Sequence, residues 1–283
     1  MANAMRIGLV SFGPREFEAL HTTCSEQGHD PVVHVYCRSM RPRTPTDAYS
    51  ATVAGQLLRA IPAGIDLLLP GSSEGLADAL PGYRLDLLVV YGFSWRLPPS
   101  VLRIPRLGVL NIHSSLLPQY RGPAPVLWAI RNGDSHLGVT VHRMDETFDT
   151  GPVIARRGGI PIEDDVTPDR LWPHLGPVIR GLLADALQRV ADGDPGEPQD
   201  EPRPATPACW NRSSSPSTPP GPSRRCTTRS APSASWARTS APSPRSTAAL
   251  TVLRTRTSPG SGIRLECADG PIWITESAPP QAP

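Results

Sequence analysis

The sequence predicts an α/β fold, a mostly parallel sheet with flanking helices, followed by a short β-rich C-terminal region. Three observations carry that expectation. Short apolar runs alternate with helix-length amphipathic stretches across residues 1–192. Glycine and proline close most of those runs, as turns between elements require. The composition then breaks after about Gly193, and strand-like patterns return near residue 250. Strands that alternate with helices favour a parallel sheet over a sandwich or a bundle.

Each element has its own signal. Arg6-Ile7-Gly8-Leu9-Val10-Ser11 is a short apolar run closed by Phe12-Gly13-Pro14. That is the pattern of a buried strand, a glycine turn and a helix with proline near its first position. The helix carries Phe17, Leu20 and Cys24 at core spacing and stops at Gly28. Residues 31–37 alternate enough for a second strand, and 38–48, rich in Arg, Pro and Thr, form a loop. Helices are expected over 51–61 and 74–80, and strands over 65–69, 85–91 and 107–113. A short helix over 125–131, a β pair over 138–144 and 153–162, and a long helix over 168–192 complete the series. Gly8 and Gly13 do not form G-x-G-x-x-G, and no acidic residue follows the second strand where a ribose would need one, so the usual nicotinamide site is excluded.

Composition removes other classes. The net charge of +2 gives no global basic field for nucleic acid. All 28 basic residues are Arg, which rules out a lysine Schiff base or a P-loop lysine. Cys24, Cys37, Cys209, Cys226 and Cys267 are odd in number and contain no C-x-x-C pair, so neither a disulfide framework nor a zinc site is expected. The N-terminal apolar run is too short for a signal peptide, and no 18-residue apolar run exists. The expectation is a cytoplasmic protein with no metal and no membrane association.

The most informative segment is Asn111-Ile112-His113-Ser114-Ser115-Leu116-Leu117-Pro118-Gln119-Tyr120-Arg121-Gly122, with Asp149-Thr150-Gly151 downstream. It supplies an amide, an imidazole and a carboxylate. Such a trio suits attack on a carbonyl: one group holds the oxyanion, one moves protons, and one orients the mover. Asn111 and His113 are two apart, so in a strand their side chains share a face.

This string resembles the formyltransferases that use 10-formyltetrahydrofolate, methionyl-tRNA formyltransferase among them. The resemblance runs from Met5 to about Asp192 and is densest over 106–160. Arg106-Leu107-Gly108, Trp128-Ala129-Ile130, Gly138-Val139-Thr140 and Met144-Asp145-Glu146 follow in family order. Phe12-Gly13-Pro14-Arg15-Glu16-Phe17 is a degraded form of the family's Gly-Thr-Pro-Glu-Phe turn, and Ser114 stands where the family has proline. The resemblance implies a Rossmann-like catalytic domain over 1–192, with the site at the carboxyl ends of its strands. It implies Asn111, His113 and Asp149 as the catalytic trio. It implies a folate pocket at Val90, Tyr91, Gly92, Phe93 and Leu97 with Asp145 and Glu146, and acceptor contacts at Ser115, Arg121 and Gly122. The co-substrate is 10-formyltetrahydrofolate. The acceptor is a primary amine, on initiator methionyl-tRNA or on a small molecule. Formyltetrahydrofolate hydrolysis is the alternative use of the same trio. His136 and His142 read as surface or packing residues. The loop over 38–47, with Arg38, Arg41 and Arg43, matches an acceptor-tRNA loop in position, but reads more simply as a solvated loop.

Residues 193–206 read as a linker. In 211–247, 29 of 37 residues are Ser, Pro, Arg or Thr, with no Leu, Ile, Val, Phe or Met. Such a segment cannot offset its ordering entropy by burial. Native low complexity and a shifted reading frame of GC-rich DNA both produce this composition. Residues 250–254 and 262–274 then read as three short strands with a hairpin turn at Ala268-Asp269-Gly270. They resemble later parts of the family's small OB-like C-terminal domain, assigned to 207–283.

Overall fold

The computed structural model describes residues 4–163 and 165–200, together with the backbone of strands at 251–256, 263–265 and 272–278. The first part contains, in order, β1 (Arg6–Ser11), α1 (Pro14–Glu26), β2 (Asp30–Val35), α2 (Ala48–Ala60), β3 (Asp66–Leu68), α3 (Ser73–Ala79) and β4 (Leu87–Tyr91). There follow α4 (Pro99–Leu102), β5 (Val109–His113), α5 (Pro125–Asn132), β6 (His136–Arg143), β7 (Val153–Pro161) and α6 (Pro168–Ala191).

The sheet has strand order β3-β2-β1-β4-β5-β6-β7. The pairings from β3 through β5 are parallel, and β5-β6 and β6-β7 are antiparallel. The sheet is therefore mixed and Rossmann-like, parallel in its larger part. The chain order reverses between β1 and β4. Open α/β sheets bind ligands beyond the carboxyl ends of strands near such a point.

Period-two alternation divides the core between the two faces. Ile7, Leu9, Leu87, Val89, Leu110 and Ile112 join Phe17, Leu57 and the apolar side of α6 in one cluster. Val10, Leu88, Val90 and Val109 face the other way, against Leu76 of α3 and Val101 of α4. Leu110 and Ile112 thus point to one side, and Asn111 and His113 to the other. Gly8 has a packing reason, since a Cβ there would lie 2.7 Å from Leu85 and 2.8 Å from Leu88.

Caps explain several helix starts. Asp47 accepts from the Ser50 amide at 2.9 Å, which starts α2 three residues before its apolar pattern begins. Ser72 caps α3, and Thr167 caps α6. Helix α6 contains Pro173 and Pro177, which remove internal hydrogen bonds. It persists because Leu171, Leu175, Ile179, Leu182, Leu183, Ala186, Leu187 and Val190 are all buried along one stripe. The single turn of α4 has too few residues to show a period, and the sequence pattern assigns no element there.

The second part is a separate antiparallel sheet of β8 (Thr251–Arg256), β9 (Ile263–Leu265) and β10 (Ile272–Ala278), in the order β8-β10-β9. The three expected strands are present. The expected turn at 268–270 and the biased segment 211–247 lie outside the described residues. Among the described residues, no helix is long and apolar enough to cross a membrane.

Candidate active site

Strand β5 delivers Asn111 and His113 to the carboxyl end of the sheet, and the loop from β6 to β7 brings Asp149 to them. Asn111 Nδ2 donates to Asp149 Oδ1 at 3.2 Å. His113 Nδ1 lies 3.6 Å from Asp149 Oδ2. The trio named from sequence is therefore one cluster. It is almost closed to solvent, with the His113 and Asp149 side chains 7% and 12% exposed.

The loop is built to hold the carboxylate. Asp149 has φ +54°, in the left-handed region that Asp tolerates better than most residues. Gly151 packs against the backbone of Arg143 so closely that a Cβ would lie 1.8 Å from its carbonyl oxygen. Asp145 ties the loop internally, accepting from Thr147 N at 2.9 Å and from Thr150 Oγ1 at 2.8 Å. The Gly122 amide donates to Asp149 Oδ2 at 2.7 Å.

A fourth residue completes the cluster. In the β5-β6 register Asn111 lies opposite His142. His142 Nδ1 donates to the Arg143 carbonyl at 2.9 Å, and its Nε2 lies 3.1 Å from Asn111 Nδ2. Nε2 is also 3.5 Å from Asp149 Oδ1, and the side chain is 2% exposed. Of the surface or packing readings of His142, the buried one holds, with its ring among polar partners. It is buried, but at the centre of the polar site.

His113 has its tautomer set from outside the trio. Its Nε2 donates to the Tyr120 carbonyl at 2.8 Å, so the neutral ring presents a bare Nδ1 toward Asp149. Tyr120 adopts φ +53° to aim that carbonyl, and its hydroxyl is anchored by Asp134 at 2.7 Å and Asn132 at 3.0 Å. Burial lowers the His113 pKa. The Asp149 charge and the Tyr120 hydrogen bond oppose that shift, and His142 adds to it. Burial alone would raise Asp149, but His113, the hydrogen bond and charge of His142 and the Gly122 amide outweigh it and bring Asp149 down to about 2. At neutral pH the site holds a carboxylate beside an unprotonated histidine.

The other expected residues fall into two groups. Tyr91 ends β4 beside the site, its hydroxyl 3.4 Å from Ser114 Oγ. Gly92 follows with φ +92° and lies under the Phe12 ring, which a Cβ would meet at 2.1 Å. Phe93 packs edge-on against Trp95, and Val90 and Leu97 are buried in the core. Glu146 is exposed, ion-paired to Arg103 at 3.6 Å, and its carbonyl accepts from Arg96. Of the acceptor residues, Ser115 is 2% exposed and donates to the Gln119 carbonyl at 2.6 Å, an internal loop bond. Gly122 serves Asp149. Arg121 donates through Nε and Nη2 to Gln199 Oε1 at 3.1 and 2.5 Å. Among the described residues, no group of three or more His, Cys, Asp or Glu is arranged for a metal. Two open clefts of about 720 and 590 Å³ are lined by residues including Arg38, Arg43 and Ser72, and Gln119, Tyr120 and Asp134, and neither is lined by the trio.

The chain is 36% identical over 202 residues to a methionyl-tRNA formyltransferase of Synechococcus sp. (strain JA-3-3Ab), covering 69% of this chain and 62% of the relative. It is 37% identical over 139 residues to a methionyl-tRNA formyltransferase of Sorangium cellulosum (strain So ce56), covering 48% and 44%. The chain thus matches less than two thirds of either relative's length. Among solved structures it superposes on glycinamide ribonucleotide transformylase 1 of Symbiobacterium toebii with TM-score 0.54 and 24% identity, covering 67% of this chain and 89% of that one. HypX of Aquifex aeolicus, solved with tetrahydrofolic acid, gives TM-score 0.52 at 21% identity, covering 70% and 29%. These two structures share the fold of residues that here carry the site. The formyl transferase family model matches residues 5–175, and the chain belongs to that family.

Proposed function

We propose that this protein transfers a formyl group from 10-formyltetrahydrofolate to a primary amine. The observation that carries this reading is the buried Asn111–His113–Asp149 cluster at the carboxyl ends of the strands, in a formyl transferase domain. The amine nitrogen attacks the formyl carbon and forms a tetrahedral oxyanion. The bond from that carbon to N10 of the folate then breaks, and N10 takes a proton as tetrahydrofolate leaves.

The residues divide the work. His113 Nδ1 accepts the amine proton and returns it to N10, since its lowered pKa leaves it unprotonated at neutral pH. Asp149, held near 2, is too weak a base for that step. Its carboxylate stabilises the imidazolium instead. Asn111 donates one amide hydrogen to Asp149, and the other turns to the oxyanion as charge develops there. One such donor is worth about 3–4 kcal/mol. The half-exposed rings of Phe12 and Phe148, close to Gly92 and Arg96, present apolar surface suited to a flat pterin near Tyr91–Phe93 and Leu97.

For the acceptor we favour methionyl-tRNA, because both sequence relatives above carry that name. A small amine remains the alternative acceptor and water the alternative reaction. The same reading takes residues 1–192 as catalytic domain, 193–206 as linker and 207–283 as an OB-like domain, in a cytoplasmic enzyme. The test is release of tetrahydrofolate from 10-formyltetrahydrofolate with charged initiator tRNA, with small amines and with neither. Release only with an amine supports transfer. Equal release without one indicates hydrolysis, and no release under any condition overturns the reading.

A further inference from the structure

Residues 193–206 read as a linker in the sequence, yet their first part is built into the site. Beyond α6 the chain runs back along β7. Val153 and Glu197 exchange both backbone hydrogen bonds at 2.8 Å. Arg143 fastens this stretch by donating to the Asp194 carbonyl at 2.7 Å and the Pro195 carbonyl at 3.2 Å. Arg189 pairs with the Asp194 carboxylate at 2.6 Å, and Asp194 accepts from the Gly196 amide at 2.8 Å. Gly196 approaches so closely that a Cβ would lie 2.9 Å from Ile154 and from the Val153 carbonyl.

This track ends with Gln199 against the Asp149 loop. Its Nε2 donates to the carbonyls of Asp149 at 3.0 Å and Gly151 at 2.7 Å. Its Oε1 accepts both contacts from Arg121. One amide therefore spans the carbonyls on either side of Thr150, and also joins them to the segment that carries Gly122. That segment delivers the Gly122 amide to Asp149 Oδ2. The two halves of the carboxylate's support come from loops 27 residues apart. Gln199 bonds to both of these loops.

We infer that Gln199 is a positioning residue: it clamps the Asp149 loop to the Arg121–Gly122 segment and so fixes the carboxylate against His113. A bidentate amide suits the role because it offers two donors to two carbonyls and one acceptor to a guanidinium at once. Arg121, expected from sequence to meet the acceptor, acts here through Gln199. Both segments lie outside helices and strands, and a left-handed Asp149 has no regular secondary structure of its own to hold it. Loss of the clamp leaves the trio intact in composition but loose in geometry.

The inference rests on the formyl-transfer reading, and its test separates the two. Full-length protein, Gln199→Ala and Gln199→Glu are compared by steady-state kinetics and by amide hydrogen exchange. Gln199→Glu keeps an acceptor for Arg121 but cannot donate to the two carbonyls. Both variants are expected to lose kcat by about tenfold or more, as a misplaced catalytic group does, with KM for 10-formyltetrahydrofolate within about twofold. The Gly122 amide should exchange at least about tenfold faster in both, while amides of β1 and β4 keep their protection. Unchanged kcat with unchanged Gly122 exchange overturns the clamp. A rise in KM at constant kcat overturns it as well, since that places Gln199 in substrate binding. If the unsubstituted protein proves inactive, the transfer reading fails, and Gly122 exchange alone decides whether Gln199 holds the loop.

Discussion

Gly151→Ala is the sharpest test of whether the Asp149 loop must sit where it does. The added methyl would lie 1.8 Å from the Arg143 carbonyl oxygen and 2.9 Å from its carbonyl carbon. Real Cβ contacts essentially never fall below 3.0 Å, so the loop or β6 must shift by at least about 1.2 Å. The obstacle is backbone, and the Arg143 amide is itself bonded to Pro152 at 2.9 Å, so no side-chain rotation can relieve it. Gly151 does not have positive φ, so the change introduces no backbone strain beyond this clash. Overpacking of this kind costs about 1–3 kcal/mol of stability, which leaves a folded protein. The effect on chemistry is larger. Asp149 is two residues away, and a displacement near 1 Å costs about 100-fold in rate. The assay is kcat for formyl transfer beside a thermal melt. A folded variant with kcat within twofold of the parent would refute the claim that the loop geometry sets the reaction.

Other consequences follow from the same structure. Burial lowers the pKa of His34 to about 3, so the unfolded chain takes up a proton below pH 6.5 that the folded chain refuses. Stability is then full above pH 6.5 and falls by about 1.4 kcal/mol per unit as pH drops toward 3, a slope that His34→Leu should flatten in urea titrations at pH 4.5–7. Asn111→Ala and His113→Ala should each reduce transfer by about 100-fold or more while the circular dichroism spectrum stays unchanged, and near-normal turnover in both would displace the trio. His142→Leu removes a hydrogen bond and a charge that help keep Asp149 low, so the Asp149 carboxyl should titrate above about 2 when followed by ¹³C NMR.

Local signals carried much of the architecture. The apolar run at 6–11 and the helix bearing Phe17, Leu20 and Cys24 stand where period and turn residues place them. Boundaries moved where a cap outranked the apolar pattern, as Asp47 does for α2. The trio was legible because Asn111 and His113 sit in one short string and Asp149 carries its own Asp-Thr-Gly turn. The loop partners of Ser115 and Arg121 were not, because a polar side chain in sequence does not show which other loop it will meet.

What the sequence determined by itself is the class of fold, the family resemblance and the three polar groups that the fold brings together, since period, turn chemistry and an ordered motif are all local in the chain. What the tertiary structure alone decided is how those groups are charged and held. His142 joins Asn111 through strand register across 31 residues, and Gln199 reaches Arg121 across 78. Such pairs depend on how antiparallel strands align and where the chain returns after α6. No local pattern encodes either, so the second histidine and the clamp became visible only in the fold.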